Sequence, residues 1–291
     1  MENLKKYSRE DFKGNNTLES IIVRIDFLTI EAEKIENIVG KVSEILGDNY
    51  KYRKINNYDI NLNISDPEKL ITQDFIEQKI DMKNNFEFSS QNNGIRFVIN
   101  QNFFLYERKD FNNYTGSNND TTLYLKLLNE VFEFEPKIQR LGIRKFNSLY
   151  IEKDISILKH ILKDSFLEEI DSNMESKYQI SYTPLEKDGK NGYNLNKALD
   201  YGTIKNQDGT TKDVYRYIID VDSYIRKQQQ IDSLQKIESE ISSLKQKDFD
   251  IYIKQLNEEF LEIMIKQDKQ EFESEIKNIG VVYGAKYGRK Q

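Results

Sequence analysis

The feature that most limits the fold of this chain is a series of long segments in which apolar and polar residues alternate. Between residues 18 and 28, for example, Val23, Ile25 and Phe27 alternate with Arg24 and Asp26. Alternation with a period of two predicts a β-strand that has one face in a core and the other face toward solvent. Strand-like segments of this kind occur at 18–28, 50–64, 85–90, 94–106, 138–150, 178–183, 193–205 and 214–225.

Segments with helical periodicity separate these strands. Apolar residues recur three or four positions apart at 31–46, at 121–135, from 154 to about 170 and over most of 226–278. Gly47 follows the first of these segments, where a helix C-terminal glycine belongs. Asp248 could cap a second helix inside the last segment, so a single bent helix and a helical hairpin both fit it. Asp188-Gly189 and Asp208-Gly209 predict tight turns that join the last three strands into a meander.

This order of elements predicts an α+β fold made of two α+β halves, with mainly antiparallel sheets and a long C-terminal helix or helical hairpin. The tripeptide Gly94-Ile95-Arg96 is repeated as Gly142-Ile143-Arg144, which fits either an internal duplication or chance. The predicted organisation is a polar arm at 1–17, an N-terminal α+β domain at 18–153, a C-terminal α+β domain with the long helical segment at 154–279, and a flexible basic tail at 280–291.

Composition removes several classes of chemistry. The chain has no Cys and a single His, His160, so thiolate metal sites, disulfides and cysteine nucleophiles are excluded. No G-x-S-x-G elbow accompanies His160, which is expected to be a surface or half-buried helical residue, and no glycine-rich phosphate loop occurs. We therefore expect no catalytic residue and no resident cofactor.

Charge and hydropathy indicate the compartment and the partners. The 18 Tyr and 16 Phe indicate a folded chain, and the net charge of −6 argues against binding nucleic acid over its whole surface, although a local basic face remains compatible with it. The N-terminal residues lack the apolar stretch of a signal peptide, and the longest apolar runs are far shorter than the roughly 20 residues that span a bilayer. We expect a cytoplasmic protein with no membrane partner.

Asp220 and Asp222 form the first candidate site. Alternation places both carboxylates on one face of the strand at 214–225, and paired carboxylates can hold Mg²⁺ or Mn²⁺. A solvated sheet face near a strand end explains the same pattern.

Arginines form the second candidate site. Arg24 shares a polar strand face with Asp26, and Arg140 and Arg144 share another. A row of arginines on a sheet can clamp phosphate or contact a partner, and it can equally form ion pairs with Asp26, Asp220 or Asp222 across the sheet.

Two further segments are candidates for partner contacts. The tail contains Lys286, Tyr287, Arg289 and Lys290, and this mixture of aromatic rings and cations suits single-stranded nucleic acid, although it is also common in chain termini. The apolar stripe within 227–264 is more typical of a core, but its length also fits a homo-oligomer interface.

Three segments together resemble a sporadically distributed family of uncharacterised prokaryotic proteins. They are 16–27 (NTLESIIVRIDF), 140–147 (RLGIRKFN) and 217–222 (YIIDVD), followed by the long C-terminal helical segment. Leu18 stands where a proline is common in that family. The resemblance implies no known activity, but a patchy distribution is typical of genes in phage–host conflict, including CRISPR-associated and anti-CRISPR genes.

These observations favour a non-enzymatic interaction or regulatory protein that binds a protein or ribonucleoprotein partner, in bacterial phage defence or its inhibition. Two alternatives remain open. One is a metal-dependent nuclease or phosphotransferase that uses Asp220 and Asp222 with Mg²⁺ or Mn²⁺, and the other is an RNA- or DNA-binding protein.

Overall fold

Ten strands form one antiparallel sheet in the computed structural model of the chain. The structure describes residues 7–12, 15, 17–64, 76–90, 94–109, 119–133, 137–152, 154–163, 178–184, 191–205, 209–226, 233–266, 268–282 and 286–288. The strands are β1 (Leu18–Phe27), β2 (Tyr50–Ile64), β3 (Ile76–Ser90), β4 (Ile95–Ile99), β5 (Phe103–Lys109), β6 (Ile138–Glu152), β7 (Tyr178–Tyr182), β8 (Asn191–Lys205), β9 (Thr211–Ile225) and β10 (Lys286–Gly288).

The spatial order is β10-β8-β9-β6-β1-β5-β4-β3-β2, and β7 lies beside β8 on the edge that β10 also uses. The two strands that begin the two halves of the chain, β1 and β6, therefore pair at the middle of the sheet, where Val23 faces Ile143. Each half repeats one topology, in which a first strand is followed by a helix and a meander, and the meander's last strand returns to pair with the first strand.

Six α-helices accompany the sheet among the described residues. They are α1 (Ala32–Leu46), α2 (Asn119–Phe132), α3 (Leu158–Ile161), α4 (Leu234–Ile253), α5 (Glu258–Met264) and α6 (Lys269–Asn278), with short 3-10 helices at Arg9–Phe12, Gly47–Asn49 and Ile155–Ile157. Their buried side chains pack on one face of the sheet, and we call them the helix layer. We call the opposite face the open face, since no described helix packs on it. None of the described helices is both long and apolar enough to cross a membrane.

Two apolar clusters fill the space between the sheet and the helix layer. The first lies under α1, α2 and the beginning of α4, and the second lies under the end of α4 together with α3, α5 and α6. Ile25 and Ile143, on the central strand pair, are almost fully buried in the first cluster. Burying a branched aliphatic side chain of this size stabilises the fold by about 1.5–3 kcal/mol. The apolar residues of the alternating pattern therefore stabilise the packing of the sheet against the helix layer.

The predicted α+β class, with mainly antiparallel strands and C-terminal helices, is confirmed. The segment predicted as one strand at 94–106 is instead two strands, β4 and β5. Asn100 separates them, because its buried side-chain oxygen accepts hydrogen bonds from the backbone N–H groups of Asn102 and Phe103, both at 2.8 Å. The resulting tight turn reverses the chain and adds a strand to the meander.

The C-terminal helical segment also differs in detail from its prediction. It consists of three helices, because Ser233, Asn257 and Asp268 each accept a hydrogen bond from a backbone N–H in the first turn of α4, α5 and α6. Asp248 is not a cap, since it lies inside α4 with its side chain buried. The helix predicted from residue 154 is the 3-10 helix Ile155–Ile157 followed by α3, and residues 164–170 lie outside the described residues.

Three other sequence predictions concern larger pieces of the chain. The apolar stripe proposed as an oligomer surface is part of the second cluster, where Phe249, Phe260 and Met264 are buried in the chain's own core. The tail at 280–291, predicted to be loose, contributes β10 to the sheet. The repeated tripeptides lie at the start of β4 and within β6, which are not corresponding strands of the two halves, so they do not mark the repeated topology.

Candidate functional site

The candidate site occupies the middle of the open face, where β8, β9, β6 and β1 lie side by side. Alternation along β9 places Asp220 and Asp222 on this face, while their neighbours Ile219 and Val221 enter the core. The register sets Asn196 of β8 opposite Asp220 and Asn194 opposite Asp222. On the other side of β9, it sets Arg144 of β6 opposite Asp222. The strands thus gather polar side chains from distant parts of the chain.

Asp220 is held from two sides. Arg144 donates to both of its oxygens, through Nε to Oδ1 at 2.9 Å and through Nη2 to Oδ2 at 2.6 Å, and the side-chain amide of Asn196 donates to Oδ2 at 3.1 Å. The Asp220 side chain is only 5% exposed. These hydrogen bonds raise the pKa of Arg144 against the opposing effect of burial. The pair is therefore a bidentate, charge-assisted contact of the stronger kind.

Asp222 and Asp26 share a second arginine. Arg140 donates through Nη2 to both oxygens of Asp222 at 2.9 Å, and its Nη1 lies 3.6 Å from Asp26 Oδ2. Asn194 donates to Asp222 at 3.2 Å, and Arg24 donates through Nε to Asp26 at 2.6 Å. The result is a continuous chain of alternating charges across β9, β6 and β1.

Gly142 makes room for this arrangement. It lies between Arg140 and Arg144 on β6, and a Cβ atom at this position would come within 2.8–2.9 Å of the Arg140 guanidinium group. The absence of a side chain lets Arg140 lie across the strand and reach its two acids. The glycine of the R-x-G-x-R pattern therefore positions the first arginine.

Aromatic rings lie under the arginines. The guanidinium carbon of Arg24 is 4.1 Å from the centre of the Phe103 ring, that of Arg144 is 4.5 Å from Phe146, and that of Arg140 is 5.0 Å from Tyr224. Such cation–π contacts hold a guanidinium group flat against the sheet. Arginines combined with aromatic rings are also the side chains that protein–protein interfaces favour.

The same pairing continues across the open face. Glu19 bonds to Arg216 and to Ser148, and Arg96 lies 2.7 Å from Glu107 and 3.3 Å from Glu87. Among the described residues, five arginines of this face are paired with six carboxylates, so this network of ion pairs carries almost no net charge. The residues are Arg24, Arg96, Arg140, Arg144, Arg216, Glu19, Asp26, Glu87, Glu107, Asp220 and Asp222.

This geometry bears on two predictions, a metal site at Asp220 and Asp222 and a phosphate clamp formed by the arginines. Asp220 and Asp222 do lie together on one face, but all four of their carboxylate oxygens accept hydrogen bonds from arginine or asparagine. A cation would have to displace the arginines. Within the described residues, no group of three or more His, Asp or Glu side chains is arranged to hold a metal ion. The ion pairs that the sequence allowed as the alternative use of Arg24, Arg140 and Arg144 are the ones that form.

The tail residues are not part of this cluster. Lys286 and Tyr287 lie in β10 at the far edge of β8, so β8 and β9 separate them from Arg144 on β6. Arg289 and Lys290 lie outside the described residues. His160, in α3, is about half exposed, with Nδ1 3.7 Å from Glu259, which agrees with the predicted surface position.

A second charged cluster lies on the other side of the same strands, under α4, and sequence reasoning missed it. Asp248 is buried, and neither of its oxygens makes a hydrogen bond within the described residues, although Ser223 lies beside it. Burial raises the pKa of Asp248, while the nearby ammonium group of Lys145 opposes that shift. Burial lowers the pKa of Lys145, whose Nζ donates to the Lys245 carbonyl at 3.0 Å. The sequence could have indicated this cluster, because Asp248 stands at a core position of an amphipathic helix.

No family model matches the sequence, and no curated protein is significantly similar to it. The resemblance to the prokaryotic family therefore stays a prediction.

Proposed function

We propose that the chain is a non-enzymatic interaction protein that binds a protein partner, alone or within a ribonucleoprotein, through the open face of its sheet. The proposal rests on one observation, which is that the charged side chains at the middle of that face neutralise one another in ion pairs. Its central carboxylates and arginines already bind one another, which leaves a nearly neutral surface of arginine, asparagine and aromatic side chains. Such a surface suits the mixed chemistry of a protein partner better than the dense negative charge of nucleic acid.

The test is a pull-down from the native cell with three baits. The first is the natural protein. The second is Arg24→Ala, which removes a half-exposed guanidinium group stacked on Phe103. The third is Lys269→Ala, a matched control that removes an exposed cation from α6 on the opposite side of the sheet. We expect the natural protein and the control to retain one stoichiometric partner, and Arg24→Ala to lose it about tenfold or more, as hot-spot arginines do.

Further outcomes separate the alternatives. Loss of the partner after ribonuclease treatment identifies a ribonucleoprotein. Stabilisation of the natural protein by Mg²⁺ or Mn²⁺ in a melting experiment, absent in Asp222→Ala, would favour the metal-dependent nuclease or phosphotransferase instead. Steeply salt-dependent binding of RNA or DNA would favour the nucleic-acid alternative. A bait that retains nothing from its own cells contradicts the proposal.

The biological process is a proposal that rests on the resemblance alone. We propose that the protein acts in the cytoplasm, in phage defence or in its inhibition. Expression in a phage-sensitive host should then change the efficiency with which a phage forms plaques, and Arg24→Ala should abolish that change while Lys269→Ala preserves it.

A further inference from the structure

β2 is the last strand of the sheet, and no described strand pairs with its outer edge. It pairs with β3 along its whole length without a register shift, and it contains no proline. Residues 51–55 are all exposed. Protein sheets usually protect their edges by shortness, bulges or proline as well as by charge, and among the described residues β2 shows only charge. Its outer edge is therefore suited to accept another strand.

A groove runs along this edge on the side of the helix layer. Its volume is about 330 Å³, and it lies between α1 and β2 with Phe86 as its apolar floor. Gly40 of α1 lines the groove, and a Cβ atom there would have no heavy atom within 4 Å. Tyr52 forms one wall and is 48% exposed, and the centre of its ring lies 5.3 Å from the centre of the Phe88 ring. The groove thus offers space for apolar side chains next to an open strand edge.

The other side of β2 carries unpaired positive charge. Lys51 and Arg53 alternate with Tyr52 and so project toward the open face. Within the described part of the chain, neither cation forms an ion pair, in contrast to the arginines at the centre of that face. Glu87, opposite Arg53 in register, is bonded to Arg96 and Ser89. On the groove side, Lys54 lies 3.6 Å from Glu36.

These features specify one kind of strand. A strand added to β2 would place alternate side chains in the groove and beside Lys51 and Arg53. Apolar residues fit the first position and acidic residues fit the second. A second copy fits this part of β2 poorly, because antiparallel pairing centred on residues 51–55 would place the two Arg53 side chains opposite each other, which is destabilising.

We propose that β2 accepts an extended segment of a partner protein in which acidic and apolar residues alternate. This is a second contact of the interaction protein proposed above and rests on that proposal in taking the partner to be a protein. The segment extends the sheet by main-chain hydrogen bonds, its apolar side chains enter the groove over Gly40, and its carboxylates pair with Lys51 and Arg53.

The test measures binding of a short fluorescein-labelled peptide of alternating glutamate and valine by fluorescence anisotropy, with the purified full chain. We expect saturable binding that weakens about tenfold or more in Lys51→Glu/Arg53→Glu, and likewise in Gly40→Leu, which fills the groove. Lys269→Glu is the matched charge control on the opposite side of the sheet, and it should not change the affinity.

Two altered peptides complete the design. Methylation of alternate backbone nitrogens removes main-chain donors and should abolish binding, and lysine in place of glutamate should do the same. Absent binding, or binding unaffected by both Gly40→Leu and N-methylation, overturns the proposal. So does a dimer of the natural protein that Lys51→Glu/Arg53→Glu dissociates, or binding of oligouridylate instead of the peptide. The pull-down tests the central arginine cluster through Arg24→Ala, whereas this assay tests the β2 edge with a defined peptide, so failure here leaves the pull-down result interpretable.

Discussion

Asp220 depends on Arg144 for most of its hydrogen bonds. Its side chain is nearly buried, and among the described residues Asn196 alone would donate to it without the guanidinium group. Removing one partner of a buried ion pair is strongly destabilising, and the partial exposure of Arg144 reduces the effect. We expect Arg144→Met to lower the free energy of unfolding by about 1–3 kcal/mol, measured by urea denaturation.

The double variant Arg144→Met/Asp220→Asn is the control. It removes both charges, so most of the lost stability should return, and the double-mutant cycle should give a clear coupling energy between the two residues. If the two single variants prove additive, the ion pair does not contribute to the stability of the sheet.

Asp248 gives the unfolding equilibrium a distinct dependence on pH. Burial raises its pKa from 3.8 to about 7. Between these values the folded chain keeps a proton that the unfolded chain has lost, so this group lowers the free energy of unfolding as pH rises toward 7. We expect Asp248→Asn to remove that decline, and to be more stable than the natural protein by about 1–3 kcal/mol near pH 8 but little different near pH 4.

Urea denaturation at both pH values measures this difference. Ser223→Ala, at the neighbouring buried position, is a matched control that leaves the carboxylate in place and should preserve the pH dependence. Parallel stability profiles for Asp248→Asn and the natural protein would show that the carboxylate is already neutralised by its surroundings, with Lys145 as its main partner.

The sequence predicts which of these side chains share a face, but not which of them bind each other. The positions of Asp220 and Asp222 follow from alternation within one strand, which is local information. Their partners Arg140 and Arg144 come from a strand about 80 residues away, and the pairing depends on a register set by the whole sheet. In the structure, each of the two carboxylates of the candidate metal site binds an arginine of β6.

Turns and caps decide where the strands and helices end, and Asn100 is the clearest case. It is buried, accepts two backbone hydrogen bonds and donates through Nδ2 to Asn85 at 2.8 Å. We expect Asn100→Ala to destabilise the protein by about 1–3 kcal/mol, because two backbone donors in the β4–β5 turn lose their partner. Thermal unfolding measures the loss.

Asn100→Asp is the informative companion variant. It keeps the acceptor for both turn amides but loses the donor to Asn85, so it should cost less than Asn100→Ala. Equal losses would indicate that the contact to Asn85, and not the turn, is what Asn100 contributes.

Strand positions were predictable because long alternation is a strong local signal, as β1 and β2 show. The break at Asn100 was hidden, because apolar residues continue on both sides of it and the turn depends on one side-chain oxygen. The two breaks in the C-terminal helices had visible caps, Asn257 and Asp268. Their signal was weak, since single asparagines and aspartates are frequent in this chain.

The molecule is joined at its middle by β6, which was predicted to be the last strand of an N-terminal domain. This strand pairs with β1 on one side and with β9 on the other, so the two halves of the chain share one sheet. Helix α4 contributes its beginning to the first apolar cluster and its end to the second. Both the sheet and a helix therefore couple the halves, and we expect them to unfold together.

Ile143 tests this coupling. It is fully buried on β6, opposite Val23 of β1, in the first cluster. Ile143→Ala should lower the free energy of unfolding by about 2–5 kcal/mol, as large-to-small changes in a core do. In a cooperative molecule, the loss should appear as equal increases in amide hydrogen exchange in β4 of the first half and β8 of the second, measured by mass spectrometry.

Leu199→Ala, in β8 and the second cluster, provides the reciprocal control, and it should also accelerate exchange in both strands. If each substitution affects only its own half, the two clusters unfold separately and the shared strand pair does not transmit stability. A single transition matters for the proposed function, because the middle of the open face is assembled from β8, β9, β6 and β1, and its ion pairs can exist only while both halves are folded.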